Sequence, residues 1–418
     1  MARNEDYGIV AVDIGTSKVA ALMFVADDAG RPAVEGYGVV SSEGVKKGII
    51  TDVEAAIGAI SAAVAKAEDT SGLVARQAVV GIGGRHISSM RSYGMIPLEK
   101  GPRRITQDDV DRVVSYAGIL RLPEDSALMG IIPRDIIVDG QKGMNRPVGM
   151  NAVRIETDAV VITANTQQLE ACDTIMKSLR TELAGKYANS ICAAEAVLSP
   201  EEKEWGAAVV DMGAGTTDIS IYSDRSLIRL ASVPMGSANI TNDIAKVLQV
   251  PVNQAEQLKV RFGTARPALV DKDEVIDAST MATGHDASLG CAVSRSELCR
   301  VIEARIFEIL DRVAAEIDAE GLLGRLPSGI VLTGGGSLMP YLPEFIQENL
   351  KVPARVARPS ADLGLPKQLD FPQMSAAAGL MRTCLMDRST AGEATAQKKE
   401  RHRGRGVKDL LKGLIDLN

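Results

Sequence analysis

The stretch GIVAVDIGTSKVAALMF, residues 8–24, is two apolar, β-prone runs held apart by a Gly-Thr-Ser-Lys turn, and WGAAVVDMGAGTTDISIY, residues 205–222, repeats the design. Each reads as a strand, a tight turn and a returning strand. In both, the first run ends on an aspartate, Asp13 or Asp211, just before the glycines. A third stretch, GIVLTGGGSLMP at 329–340, ends an apolar run in three glycines. A chain that uses one supersecondary unit twice reads as a duplicated fold.

Between these stretches, apolar residues at three- and four-residue spacing predict helices over Asp52–Ala67, Gln107–Gly118, Gln167–Leu183, Ile240–Leu248 and Arg295–Ala319. Interleaved strands and helices give an α/β architecture. The span 83–163 breaks the rhythm with proline-containing strands and one helix, and reads as an inserted α+β subdomain. The expected division is one lobe from 1–82 and 164–206, a second from 207–236 and 306–385, and an outer subdomain of the second lobe from 237–305.

A chain of 418 residues suits two to four domains at about 100–200 residues each. With 45% hydrophobic and 24% charged residues it can bury a large core. A net charge of −7 and only 3% aromatic residues argue against a nucleic-acid platform, which needs a basic surface and stacking side chains. Five cysteines without a C-x-x-C pair suggest neither a zinc cluster nor a disulfide framework, and fit a reducing cytosol. The first residues lack the apolar stretch of a signal peptide, and no run of 18 apolar residues occurs, so any membrane contact is expected to be peripheral.

The tail offers such a contact. From 386 to 405 the chain is nearly devoid of apolar residues and reads as a flexible basic tether, with Lys398, Lys399, Arg401, Arg403 and Arg405 at its end. In the segment 406–418, Val407, Leu410, Leu411, Leu414 and Ile415 share one helical face. Either a neighbouring protein or an anionic leaflet suits that face; the basic cluster favours lipid, each cation adding about 1 kcal/mol near such a surface. The tether reaches about 25 Å as a flexible coil. A helix this short binds reversibly, so firm attachment requires many copies acting together.

The hairpin turns have the composition that a triphosphate requires. Glycine lets backbone amides approach an anion closely, hydroxyls donate, and carboxylates hold a cation. In the first turn these are Gly15, Thr16 and Ser17, with Lys18 adding positive charge and Asp13 facing the ion; in the second they are Gly213, Gly215, Thr216 and Thr217, with Asp211 mirroring Asp13. Mg²⁺ dehydrates reluctantly, so Asp13 and Asp211 are expected to act through coordinated water. The turn Gly334-Gly335-Gly336-Ser337 would let an adenine ring lie against backbone with Met339 beside it; alternatively it is a helix-opening turn capped by Ser337. Asp218 is the candidate for a catalytic group, should hydrolysis occur.

Two such hairpins followed by a glycine-rich turn resemble the actin, Hsp70 and sugar-kinase superfamily over nearly the whole chain ahead of the tail. Within it the FtsA branch is similar in length, in carrying an insert after a glycine turn such as Gly81-Ile-Gly-Gly84, and in ending with a tether and an amphipathic helix. The resemblance implies an actin-like (ribonuclease H-like), duplicated two-lobe fold that binds ATP and Mg²⁺ with at most slow hydrolysis. It implies nucleotide contacts at Gly236, Glu256 and Lys259, the last two otherwise an ordinary ion pair on a helix surface. It makes Ser375-Ala-Ala-Ala-Gly379 the small-residue helix near the hinge. It further implies a division protein that polymerises and holds the tubulin-like FtsZ ring at the cytoplasmic face of the inner membrane. The FtsZ C-terminal peptide would meet the helix around Val301–Glu308 at Arg305, otherwise a solvated charge, and other division proteins would meet the insert. A pilus-assembly scaffold and a small-molecule kinase on the same fold are the alternative readings.

Overall fold

The structure, a computed structural model, describes residues 7–27, 30–98, 101–144, 146–277 and 292–388. The tail positions Val407, Leu410, Leu411, Leu414 and Ile415 lie outside the described residues.

Two five-stranded sheets share one topology. In the first, Tyr7–Ile14 pairs antiparallel with Lys18–Ala26, which pairs antiparallel with Pro32–Ser41; on its other side Tyr7–Ile14 runs parallel to Val74–Ile82, and that strand to Glu182–Ala188. The second repeats this with Ala207–Met212, Thr217–Ser223 and Ser226–Val233 on one side and Ile330–Thr333 and Ala354–Val356 on the other. The register is equivalent as well. Asp13 lies opposite Gly81 on the parallel neighbour, and Asp211 opposite Thr333.

Nearly every residue from Val19 to Phe24 is fully buried, and so are Val10, Ala11 and Val12. Such continuous apolar runs belong to strands covered on both faces. Helix Val53–Ser71 covers the first sheet with Ala56, Ile60, Ala63, Val64 and Ala67, one stripe at helical spacing; Asp52 caps its start and Gly72 its end. Fully burying a side chain such as Ile60 contributes about 1.5–3 kcal/mol. Helices Ser237–Val247, Val252–Phe262 and Arg295–Asp318 pack around the second lobe through Ile240, Ile244, Leu258, Ile302 and Ile306.

The insert leaves the first lobe after Val74–Ile82. Its sheet is Ile87–Pro97, Arg154–Asn165 and Ser126–Val138, all antiparallel, covered by helix Gln107–Ala117. It has a small core of its own built on Ile96, Ile105, Val113 and Ile155. A capping box at Thr106 and Asp109 starts the helix, and Arg103 binds the same carboxylate through both guanidinium nitrogens.

Two sequence expectations need correction. The helix expected over Gln167–Leu183 is Thr166–Ser178; Arg180 takes a left-handed conformation (φ 56°), and Glu182–Ala188 joins the first sheet. The helical spacing of Ile175, Met176, Leu179 and Leu183 ran on across a strand boundary. At the end of the described chain, the helix that begins at 375 continues through 388, three residues into the stretch read as tether, and Asp387 accepts a hydrogen bond from the Tyr187 hydroxyl at 2.8 Å. That helix crosses Asn189–Val197 at the closest approach possible: a Cβ on Gly379 would stand 1.6 Å from the Cys192 carbonyl oxygen.

Candidate functional site

The duplicated register brings the two hairpin turns face to face across a cleft of about 310 Å³ between the lobes. Asp13, Gly15, Thr16, Ser17 and Lys18 line one wall, and Asp211, Gly213, Gly215, Thr216 and Asp218 the other; Gly334, Gly335 and Leu338 close one end. The turns touch. A Cβ on Gly215 would lie 2.6 Å from Thr16 Oγ1 and 2.9 Å from Lys47 Cα, so only glycine permits this approach. Each turn is closed from within, by Gly15 N–H to the Lys18 carbonyl (3.1 Å) and Gly213 N–H to the Thr216 carbonyl (2.9 Å). Among the described residues the tip amides of Thr16, Ser17, Ala214 and Gly215 have no backbone acceptor. Two successive amides of this kind on each side form an anion-binding concavity.

Three carboxylates face this space with one ammonium group. Asp13 is buried, accepting from Asn189 Nδ2 at 2.8 Å and pairing with Lys18 at 3.3 Å. Asp211 and Asp218 are directly opposed across the second hairpin. Burial, then the neighbouring Asp218 and Asp13 carboxylates, push Asp211 up to about 7, with Lys18 opposing. Burial pushes Asp218 up to about 6, against hydrogen bonds from Ser232, Thr216 and the Gly84 amide. A site with three acids and one base repels a phosphate chain unless a cation enters with it. Among the described residues no three His, Cys, Asp or Glu side chains come close enough to hold a metal directly. The donor set therefore fits an ion held through its water shell, as Mg²⁺ prefers.

Several residues singled out from sequence sit elsewhere. Thr217 is fully buried and its hydroxyl donates to the Met235 carbonyl at 2.9 Å, because successive residues of a strand face opposite sides and Thr216 and Asp218 hold the cleft side. Gly336 and Ser337 are buried behind the cleft; the Ser337 hydroxyl donates to the Gly334 carbonyl at 2.7 Å and caps no helix. Met339 packs into the second lobe's core, and its exposed neighbour Leu338 faces the cleft instead. Gly334 has φ +79°, and a Cβ there would overlap Asp211 Oδ1 at 2.2 Å.

Gly236 places helix Ser237–Val247 against the second turn: the amides of Ser237 and Ala238 donate to the carbonyls of Gly213 and Ala214, both at 2.9 Å. Those amides are spent on the hairpin. Glu256 and Lys259 lie one layer behind. Lys259 is buried, not a surface residue, and its ammonium reaches Glu256 (2.7 Å), Thr241 Oγ1 (2.8 Å) and the Ser237 carbonyl (3.3 Å), tying Val252–Phe262 to helix Ser237–Val247, whose first residue borders the cleft. Arg305 is half-buried and ion-paired. Its Nε meets Asp243 and its Nη1 meets Glu308, bracing the long helix against Ser237–Val247.

The sequence reading missed Asn189 and Ser232. Asn189 opens a helix directly after a strand, and the polar pair Asn189-Ser190 at the head of the largely apolar YANSICAAEAV was the available signal. Ser232 sits two strands from the turn and has no local signature.

Comparison with known proteins settles the family. A model described as "Cell division protein FtsA" matches residues 208–379, and one described as "SHS2 domain inserted in FTSA" matches residues 84–163. Cell division protein FtsA of Pseudomonas aeruginosa is 32% identical over 381 residues, covering 91% of this chain and 90% of that protein. That of Neisseria meningitidis is 31% identical over 410 residues, 98% of each. The chain belongs to the FtsA family.

Solved structures place this FtsA-family chain among actin-like folds. A PilM–PilN type IV pilus biogenesis complex superposes with a TM-score of 0.60 at 13% identity, over 91% of this chain and 99% of that one. MreB5 of Spiroplasma citri, bound to ADP, gives 0.51 at 16% identity over 95% and 99%. At such identities the likeness concerns the fold alone. Among the described residues no helix is long and apolar enough to cross a membrane.

Proposed function

We propose that this FtsA-family chain binds ATP with Mg²⁺ in the cleft between its lobes, assembles with copies of itself, and holds the FtsZ ring at the cytoplasmic face of the cell membrane through residues 406–418. The observation that carries the proposal is that two glycine hairpins of one FtsA-family chain meet across a single acid-lined cleft. Gly15, Thr16 and Ser17 on one side, and Gly213, Gly215 and Thr216 on the other, offer amides and hydroxyls to phosphate oxygens. Asp13 and Asp211 face the hydrated ion, and Gly334, Gly335 and Leu338 form the surface for the base. Lys18 offsets part of the acidic excess. MreB5 of Spiroplasma citri, a neighbour in fold, holds ADP, which is in keeping with a nucleotide as the ligand.

When bound, the magnesium ion screens the phosphate charge that the carboxylates otherwise repel. Asp218 is the acid best placed to orient water. It is held by Ser232, Thr216 and the Gly84 amide, and hydrolysis is slow while it is so engaged. A ligand gripped from both lobes favours the closed pair over the open one by its differential affinity alone. Closed subunits then repeat into a filament, and the filament supplies the many tails that firm membrane attachment needs. The FtsZ peptide would displace Asp243 and Glu308 from Arg305, and the insert would receive other division proteins.

The test is pelleting with anionic liposomes in the presence of MgATP, using the full chain and a form ending at Arg388, which keeps the docked Asp387. The full chain should pellet and the shortened form should stay in solution. Equal pelleting would remove the tail from the account.

A further inference from the structure

The insert belongs covalently to the first lobe, yet it also touches the second. Ser226–Val233 is the outer strand of the second sheet, and its free side meets the insert. The Leu230 amide donates to Ser89 Oγ at 2.8 Å and the same hydroxyl donates to the Leu230 carbonyl at 3.2 Å, so one serine stands in for a missing partner strand. The Ser226 hydroxyl donates to the Arg134 carbonyl at 2.9 Å.

Beside these bonds lies a polar cavity of about 420 Å³. Its ion pairs form on their own sides, leaving an excess of cation on the insert and an excess of acid on the lobe. Arg91 and Arg134 share Asp158 within the insert, and Arg229 pairs with Glu316 and Glu320 within the second lobe. Among the described ion pairs none crosses the gap, and the attraction of Arg91 to Glu320 acts across it without a direct contact. The cross-links are serine-to-backbone bonds.

The same strand leads to the cleft. Two residues beyond Leu230, the Ser232 hydroxyl donates to Asp218 Oδ1. The other Asp218 oxygen lies 2.8 Å from where a Cβ on Gly83 would stand, and Asp218 accepts from the Gly84 amide at the root of the insert. One cleft carboxylate of the second lobe therefore holds both ends of the path into the insert.

We propose that the inserted subdomain reads the state of the cleft: Asp218, Ser232, the outer strand at Leu230 and Ser89 form a hydrogen-bonded lever that shifts the insert when nucleotide and cation engage Asp218. The inference rests on the nucleotide reading above. It gives the insert a role beyond presenting a surface, since whatever it binds is bound according to the occupancy of the cleft. By reciprocity a ligand of the insert alters nucleotide affinity by the same factor.

Amide hydrogen exchange on the full chain tests this, comparing wild type with Ser89→Ala, each with and without MgATP, while nucleotide uptake is measured on the same samples. Ser89 lies outside the cleft, so uptake should agree within about two-fold between the two proteins, the spread ordinary for a surface change. Without nucleotide, Ser89→Ala should speed exchange at Leu230 by about five-fold, one hydrogen bond's worth. With MgATP, wild type should change its protection across 87–97 and 126–138, and Ser89→Ala should lose that change. Uptake without any response of the insert, or a response that survives in Ser89→Ala, would overturn the lever alone. Absence of uptake would overturn the nucleotide reading and the lever with it.

Discussion

Asp211→Asn removes a carboxylate that the empty fold holds unfavourably. Burial and the facing Asp218 and Asp13 carboxylates raise Asp211 from 3.8 to about 7. The sign follows from an acid whose folded value exceeds its unfolded one. Below about pH 4 it is protonated in both states and nothing is lost. As pH rises from 4 to 7 the unfolded chain ionises first, so stability falls; above 7 the loss is constant. A rise of about three pH units at 1.36 kcal/mol each sets a ceiling of about 4 kcal/mol. Partial exposure of Asp211 lowers this to about 2 kcal/mol.

Asparagine keeps the shape without the charge. Thermal unfolding of the nucleotide-free protein at pH 8 should therefore occur about 5 °C higher for Asp211→Asn than for wild type, and the two should converge near pH 4. Saturating MgATP should reverse the order. Wild type gains about 2.7 kcal/mol at a ligand concentration one hundred times Kd, and a variant lacking an ion-facing carboxylate gains little. A variant no more stable than wild type at pH 8, or a gap that ignores pH, would refute the electrostatic reasoning.

Gly215→Val drives a side chain into Thr16 and the Lys47 backbone; equilibrium dialysis should show MgATP affinity down at least ten-fold, about 1.4 kcal/mol. Thr217→Val leaves the buried Met235 carbonyl without its donor, so denaturant unfolding should register a loss of about 1–2 kcal/mol while nucleotide affinity stays within two-fold. Asn189→Ala frees one oxygen of Asp13 and should weaken the dependence of ATP binding on magnesium more than binding in EDTA, as magnesium titrations at fixed ATP would show.

The sequence carried the large features because duplication is visible as spacing. An apolar run, Asp, Gly and Thr recur in the same order at Asp13 and Asp211, and the structure turns that recurrence into one sheet topology used twice. The finer errors have a common cause: composition identifies a turn but not which way its side chains face. Thr216 and Thr217 are equal in sequence and opposite in space. Leu338 and Met339 exchange roles because a single turn of 3₁₀ helix, Gly335–Leu338, sets which points to the cleft. Asn189 reaches Asp13 from 176 positions away, and Ser232 reaches Asp218 across the neighbouring strand, so the turn sequences alone name neither partner. Arg305 looked like a solvated charge because Asp243 lies 62 positions away.

The central claim is that both hairpins close on one nucleotide with its ion, and equilibrium binding of labelled ATP to the full chain measures that directly. The account expects one ATP per chain in magnesium, a marked loss in EDTA, and a loss in magnesium when either Gly15 or Gly213 is replaced by valine. Binding that is absent in magnesium, or that withstands both substitutions, would contradict it.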